Sequence, residues 1–288
     1  MAAPTGPTVR RIQLGYELKR LREKAGFTLA QAVEGLTFSP SKLHRTEGGA
    51  TGLPKVQDLR DLLDRYGVHD EEDVNFLVEV HRDSLNRGWW STYRSVLPSG
   101  MGMYIGLESG ARSSRTWQPH VVFGLLQTER YAREMFLNAK PVDETTTEFV
   151  ERHIEIRMGR KEALTRRESP LELWSILDEA ALRRVVGSPE VMREQYEEIV
   201  NLTRGDNVTV QILPMSSATY RTGTDFSLLD LGSSLPTIVE VDGHGGGPTL
   251  SDKDTNIWSF TRKFDALRAG ALAPSETPAF LQRLAREI

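Results

Sequence analysis

The chain's 288 residues suffice for one large or two medium domains, and ordinary apolar (39 %) and charged (26 %) fractions place it among folded globular proteins rather than disordered or membrane-embedded ones. The absence of cysteine removes disulfides, thiol nucleophiles and thiolate metal sites, and suits a reducing cytoplasm. The net charge of −4 is uneven: residues 1–70 hold 11 Lys and Arg against 8 Asp and Glu, leaving 25 against 32 for the remainder, so a mildly basic front is joined to an acidic body.

The opening MAAPTGPTVRR has no apolar run that would serve as a signal or membrane span, and it reads as a flexible arm. Residues 12–24 set Ile12, Leu14, Leu18 and Leu21 against Arg20, Arg22 and Lys24, an amphipathic helix that stops at Gly26. The organising stretch follows at 28–49, TLAQAVEGLTFSPSKLHRTEGG. Thr28 can cap a helix carrying Leu29, Ala32, Val33 and Leu36 at helical spacing. After a break, Ser39 offers a second N-cap and Pro40 falls at the first helical position, where its missing N–H costs nothing. This second helix would bury Leu43 and display Ser41, Lys42, His44 and Arg45 until Gly48 and Gly49 end it. Two further helices are expected, at 54–66 with Val56, Leu59, Leu62, Leu63 and Tyr66 inward, and at 70–86, acidic at its start and basic near its end.

A short capped helix with a polar, basic face suits the DNA major groove, although an ordinary helical hairpin with a solvated face has the same spacing. The stretch resembles the XRE-like helix-turn-helix of repressors. That resemblance implies a recognition helix whose Pro40, Ser41, His44 and Arg45 read bases, while Thr28, Ser39 and Lys42 meet phosphate and Glu47 packs back on the module. Leu29 departs from the pattern, since many members carry Gln there. Double-stranded DNA is therefore the expected partner. The weak positive charge of the front predicts a homodimer that combines two half-sites.

We place the domain junction near residue 87, at Arg87-Gly88-Trp89-Trp90, with a helix-turn-helix domain at 1–87 and an effector or oligomerisation domain at 88–288. Core, interface and ligand platform are all open to the tryptophan pair; the area each ring must bury favours core packing. Residues 91–106 are rich in Gly, Ser and Met, with weak periodicity. Beyond them Leu107-Glu108, Ala111, Trp117, the run Gly124 to Thr128 and Tyr131-Ala132 resemble the DUF5753 effector domain of actinobacterial regulators, which is similar to antitoxins of the Scr1 type. Phe123 stands where that family usually has Pro. The resemblance implies a small DUF397-type protein as partner.

Helices are expected at 127–138 and 143–167; the Arg and Glu residues interleaved in the latter read as a salt-bridged solvent face. Strands follow at 171–177 and 208–213, with helices at 178–186 and 189–203 between them. Residues 226–231 and 237–241 form an expected hairpin, and helices return at 252–268 and 275–287. The fold class is thus a mainly α N-terminal helix-turn-helix domain of five helices plus an α+β C-terminal effector domain.

No catalytic, cofactor or metal site is expected. The run 241–248, VDGHGGGP, lacks the Lys-Ser/Thr of a phosphate loop, and Asp242 with His244 on a flexible turn has nothing to fix its geometry. The six histidines show no metal-ligand spacing, and Asp178-Glu179 read as helix-capping acids rather than a catalytic pair. The reading is a cytoplasmic, non-membrane, non-enzymatic transcriptional regulator. An antitoxin that sequesters a cognate toxin is the alternative, and a small-molecule-sensing or enzymatic C-terminal domain a weaker one.

Overall fold

A computed structural model describes residues 6–232, 235–242 and 247–288. Five helices form the N-terminal unit: α1 (Pro7–Lys24), α2 (Leu29–Ala32), α3 (Pro40–Glu47), α4 (Val56–Arg65) and α5 (Glu71–Ser84). Leu14 and Leu18 of α1, Leu43 of α3, Leu59, Leu62 and Leu63 of α4, and Leu77, Val78 and Val80 of α5 close one apolar core. The body adds α6 (Met101–Gly110), β1 (Ser113–Gln118), α7 (Glu129–Asp143), α8 (Thr147–Arg160), α9 (Glu162–Thr165), β2 (Glu172–Asp178), α10 (Glu179–Arg183) and α11 (Pro189–Leu202). It continues through β3 (Val208–Leu213), β4 (Phe226–Asp230), β5 (Ile238–Asp242), β6 (Pro248–Ser251), α12 (Asp254–Gly270) and α13 (Thr277–Glu287).

The strands make one six-stranded sheet in the order β3-β2-β1-β4-β5-β6. β1, β2 and β3 run parallel, joined by helical crossovers, whereas β4, β5 and β6 pair antiparallel. α12 covers one face, where Phe264 and Leu267 pack on Trp117, Ile176, Phe226 and Val239. The larger core lies on the other face, against α11, α13 and the segment around Tyr131. No helix among the described residues is long and apolar enough to cross a membrane. The expected fold class, a helical front and a mixed helix-and-sheet body, is the one observed.

Several elements differ from expectation for identifiable reasons. The stretch taken for a flexible arm is helical from Pro7 onward, because Pro7 sits at a helix start and Val9 is fully buried in the core of the body; residues 1–5 lie outside the described residues. α1 therefore enters both cores. α6 was not expected, since MGMYIGLESG is apolar on all sides and shows no helical period. Nor was β1, the strand at the centre of the sheet, whose inward side chains on one face are Ser114, Thr116 and Gln118 rather than apolar. β6 is an edge strand opening on Pro248, a residue that only an edge admits. The hairpin of β4 and β5 forms as expected, and Ser233 and Ser234 within its connection lie outside the described residues.

The tryptophan pair is core. Trp90 is buried with Ile105 and Ile156, and Trp89 stacks edge-to-face on it at 5.9 Å between centroids. The salt-bridged solvent face holds only for the outer side of α8, where Arg152 meets Glu148 and Arg133 of α7 meets Glu151. Arg160 instead turns inward to a bidentate, buried pair with Glu108 of α6 at 2.7 and 2.9 Å, and Tyr104 donates its hydroxyl to the same carboxylate. Asp178 and Glu179 behave as capping acids: Asp178 accepts from the Ala180 N–H and Arg221, Glu179 from the Met215 N–H and Arg183.

Glu240 of β5 is buried beside Asp242 and Asp225, and burial first, then those charges, pushes its carboxyl up to about 8, with Arg160 and Ser227 opposing. In the unfolded chain it ionises near an ordinary carboxylate value, so the native state binds the extra proton between that value and about 8, and stability falls as pH rises across this window. Glu240→Gln is expected to raise the melting temperature relative to wild type at pH 8 and to lose that advantage near pH 5. Thermal unfolding at the two values checks this; a constant difference contradicts the buried, protonated carboxyl.

Candidate nucleic-acid interface

The two caps that frame the helix pair are formed. Thr28 Oγ1 accepts from the Gln31 N–H at 3.3 Å while Gln31 Oε1 accepts from the Thr28 N–H at 2.9 Å, a reciprocal capping box. Ser39 Oγ accepts from the Lys42 N–H at 3.2 Å, and Pro40 occupies the first turn of α3. α2 is shorter than expected, one turn ending at Ala32, because Gly35 takes a positive φ of 76° in the turn that follows. Arg65 of α4 donates to the Gln31 and Ala32 carbonyls, satisfying the end of that short helix.

α3 is held from behind. Leu43 is fully buried, and Glu47 forms a bidentate pair with Arg22 of α1, Nε to Oε1 at 2.7 Å and Nη2 to Oε2 at 3.0 Å. The third arm of the Arg22 guanidinium donates to the Phe27 carbonyl at 2.7 Å, and its hydrogen bond to Glu47 holds it above its ordinary pKa. Gly15 permits the close approach of the two helices, since a Cβ there would lie 2.3 Å from the Thr46 carbonyl oxygen. Arg11 Nε donates to the Gly49 carbonyl at 2.7 Å just past the end of α3.

With that side anchored, Pro40, Ser41, His44 and Arg45 are exposed together on the opposite side, and Thr28 and Ser39 are exposed at the two caps. The structure thus brings the expected base-reading and phosphate-facing residues onto one surface, with one difference. Lys42 is half-buried, and its ammonium donates to the Gly52 carbonyl at 2.8 Å, tying α3 to the loop before α4. Only two of its three N–H donors remain for a phosphate. Glu47 packs back on the module, in the position that the resemblance implied for it.

Sequence reasoning missed Arg22, Gly15 and Arg11. Arg22 had a readable signal: with Leu14 and Leu18 it continues an i, i+4, i+8 stripe, so it lies on the buried side of α1. Gly15 and Arg11 act through partners more than thirty positions away, which a single sequence does not show. Elsewhere, no group of three His, Cys, Asp or Glu is arranged for a metal ion among the described residues. His244, considered with Asp242, lies outside the described residues.

Two family models match separate stretches of the chain. Residues 13–77 match the family model described as a helix-turn-helix domain, and residues 102–283 match that of a domain of unknown function, DUF5753. No curated protein and no solved structure matches.

Removing one partner of a buried ion pair leaves the other charge stranded, at about 3–5 kcal/mol. Glu47→Ala is expected to lose stability on that order in urea unfolding, and adding Arg22→Ala to lose much less than the sum of the two single changes. Strict additivity would contradict the pairing.

Proposed function

We propose, on the premise that the chain belongs to the DUF5753 family and carries a helix-turn-helix domain, that it is a sequence-specific DNA-binding transcriptional regulator of the XRE type. The observation that carries this reading is the division of α3 into a clamped side, Leu43 and Glu47, and an open side, Pro40, Ser41, His44 and Arg45. A helix fixed to its domain along one side and free along the other enters a major groove without refolding. Arg45 has the geometry to pair bidentately with guanine, and Ser41 and His44 to meet neighbouring base edges. The exposed hydroxyls at the two helix starts and the remaining donors of Lys42 face the phosphates.

The protein acts in the cytoplasm as a homodimer on an inverted repeat, since the front's small positive excess supports only weak phosphate binding by one copy. Its body is a receiver rather than an enzyme, with a small DUF397-type protein as the signal that the family resemblance supplies. Support for the receiving role comes from α1, which is buried in both cores and so ties the body to the recognition helix.

An operator recovered by selecting bound genomic fragments allows the test. Arg45→Ala is expected to weaken operator binding by about 1–3 kcal/mol and leave binding to random duplex nearly unchanged. Fluorescence anisotropy over a salt series reads both; equal losses on the two duplexes would remove Arg45 from the base-reading set.

A further inference from the structure

α1 makes two close contacts along one side, two helical turns apart. Near its start Thr8 lies against Gly106 of α6, where a Cβ would come within 2.1 Å of Thr8 Oγ1, and farther along Gly15 lies against α3, where a Cβ would come within 2.3 Å of the Thr46 carbonyl oxygen. Ile12 falls between these positions on the same side of the helix. The two contacts set the spacing of α1 from the body and from α3. A gap left between them does not close unless one of them breaks.

A cavity of about 210 Å³ occupies that gap, at the joint between the helical front and the body. Ile12 of α1 lines it from the front, and Met103 and Leu107 of α6, Ile238 of β5 and Leu250 of β6 line it from the body. Leu107 and Ile238 are buried, whereas Ile12, Met103 and Leu250 are only half-buried, so apolar surface within the joint is left without a packing partner. An apolar cavity of about 150 Å³ stays dry and takes up a molecule of benzene size. The larger space here suits one ring or two fused rings.

The mouth of the cavity is polar, with Tyr16, Gly48 and Asp252 exposed around it. Its two carboxyl groups differ in what they can accept. Glu47 is engaged in the bidentate pair with Arg22. Asp252 belongs to none of the ion pairs among the described residues, and the neighbouring Ser251 Oγ already accepts from Asn256 Nδ2 at 2.8 Å. The mouth thus presents one uncompensated carboxylate above an apolar floor. Such a site accepts a hydrogen bond from a ligand and repels an anion.

We propose that this joint cavity is a binding site for a small uncharged ring compound, of phenol to indole size, that carries a hydrogen-bond donor. The ring packs between Ile12 on the front and Met103, Leu107, Ile238 and Leu250 on the body, and the donor faces the Asp252 carboxylate. Glu47 and Gly48, the last residue and the C-cap of α3, line the same cavity, so an occupant bears on the end of that helix as well as on α1. An effect on DNA binding rests on the regulator reading, whereas ligand binding itself does not.

The test uses the full chain labelled with ¹³C-methyl methionine, with phenol and indole as probes and benzoate as the anionic counterpart. Met103 lines the cavity, while Met192 is fully buried elsewhere in the body and serves as the internal control. At least one probe is expected to shift the Met103 methyl resonance saturably, with Met192 unmoved, and to raise the melting temperature by about 5 °C at a hundredfold excess over its Kd. Met103→Leu assigns the resonance. Benzoate is expected to do neither in the wild type and to gain binding in Asp252→Asn, an exposed change that leaves the fold intact. No saturable Met103 shift from either probe overturns the site, as do equal shifts at Met192 or an equal response to benzoate in the wild type; benzoate still excluded from Asp252→Asn overturns the placing of the donor. Anisotropy on operator DNA with the bound probe then reads the coupling: an affinity change of severalfold supports it, and unchanged affinity in a protein that binds both overturns the link to α3.

Discussion

The account depends on one buried ion pair. Arg22 and Glu47 lock α3 to α1 in a bidentate arrangement, and a further guanidinium donor goes to the Phe27 carbonyl. Buried ion pairs are weak evidence for stability, because desolvation offsets most of their attraction. What this one supplies is orientation: Glu47 sits at the last turn of α3, so fixing it fixes which side of a two-turn helix faces outward. The Lys42 tie to Gly52 and the close packing of Gly15 on Thr46 hold the same helix from its other turns.

The second buried pair, Glu108 with Arg160, has the corresponding task in the body, setting α6 against α8 under a sheet whose central face is polar. Between the two pairs runs α1. Its first turns contribute Val9 to the core of the body and its later ones Leu14 and Leu18 to the core of the helical front. A single helix built into two cores conveys a shift of either to the other; Gly15 lets the backbone of α3 pack directly on it, and Gly106 of α6 lets its Thr8 side chain do the same against the body. The helical front and the body are therefore mechanically connected through a helix whose sequence shows no marked division.

Much of this was legible in the residues. Thr28, Ser39 and Pro40 announce two helix starts within a dozen positions, and both caps form as the side chains dictate. The strands at 171–177 and 208–213 are readable because apolar and polar residues alternate there. β1 was not, because its buried face holds Ser114, Thr116 and Gln118, and hydropathy carries no sign of burial when the interior itself is polar. α6 escaped for the opposite reason, being apolar all round. Of the surface residues, Ser41, His44 and Arg45 stand exposed where the motif puts them, whereas the tie from Lys42 to Gly52 depends on the path of a loop that local pattern does not encode.

The lack of native cysteine makes one measurement especially direct. Ser41→Cys, coupled to an iron chelate that cleaves nearby DNA, reports where the open side of α3 lies on a bound operator, and Trp258→Cys on α12, 63 % exposed on the body, serves as the distant control. The account predicts strand cuts flanking the major groove of each half-site from position 41 and none from position 258. Equal cleavage from both positions, or none from position 41 while the protein remains bound, would contradict a recognition role for α3.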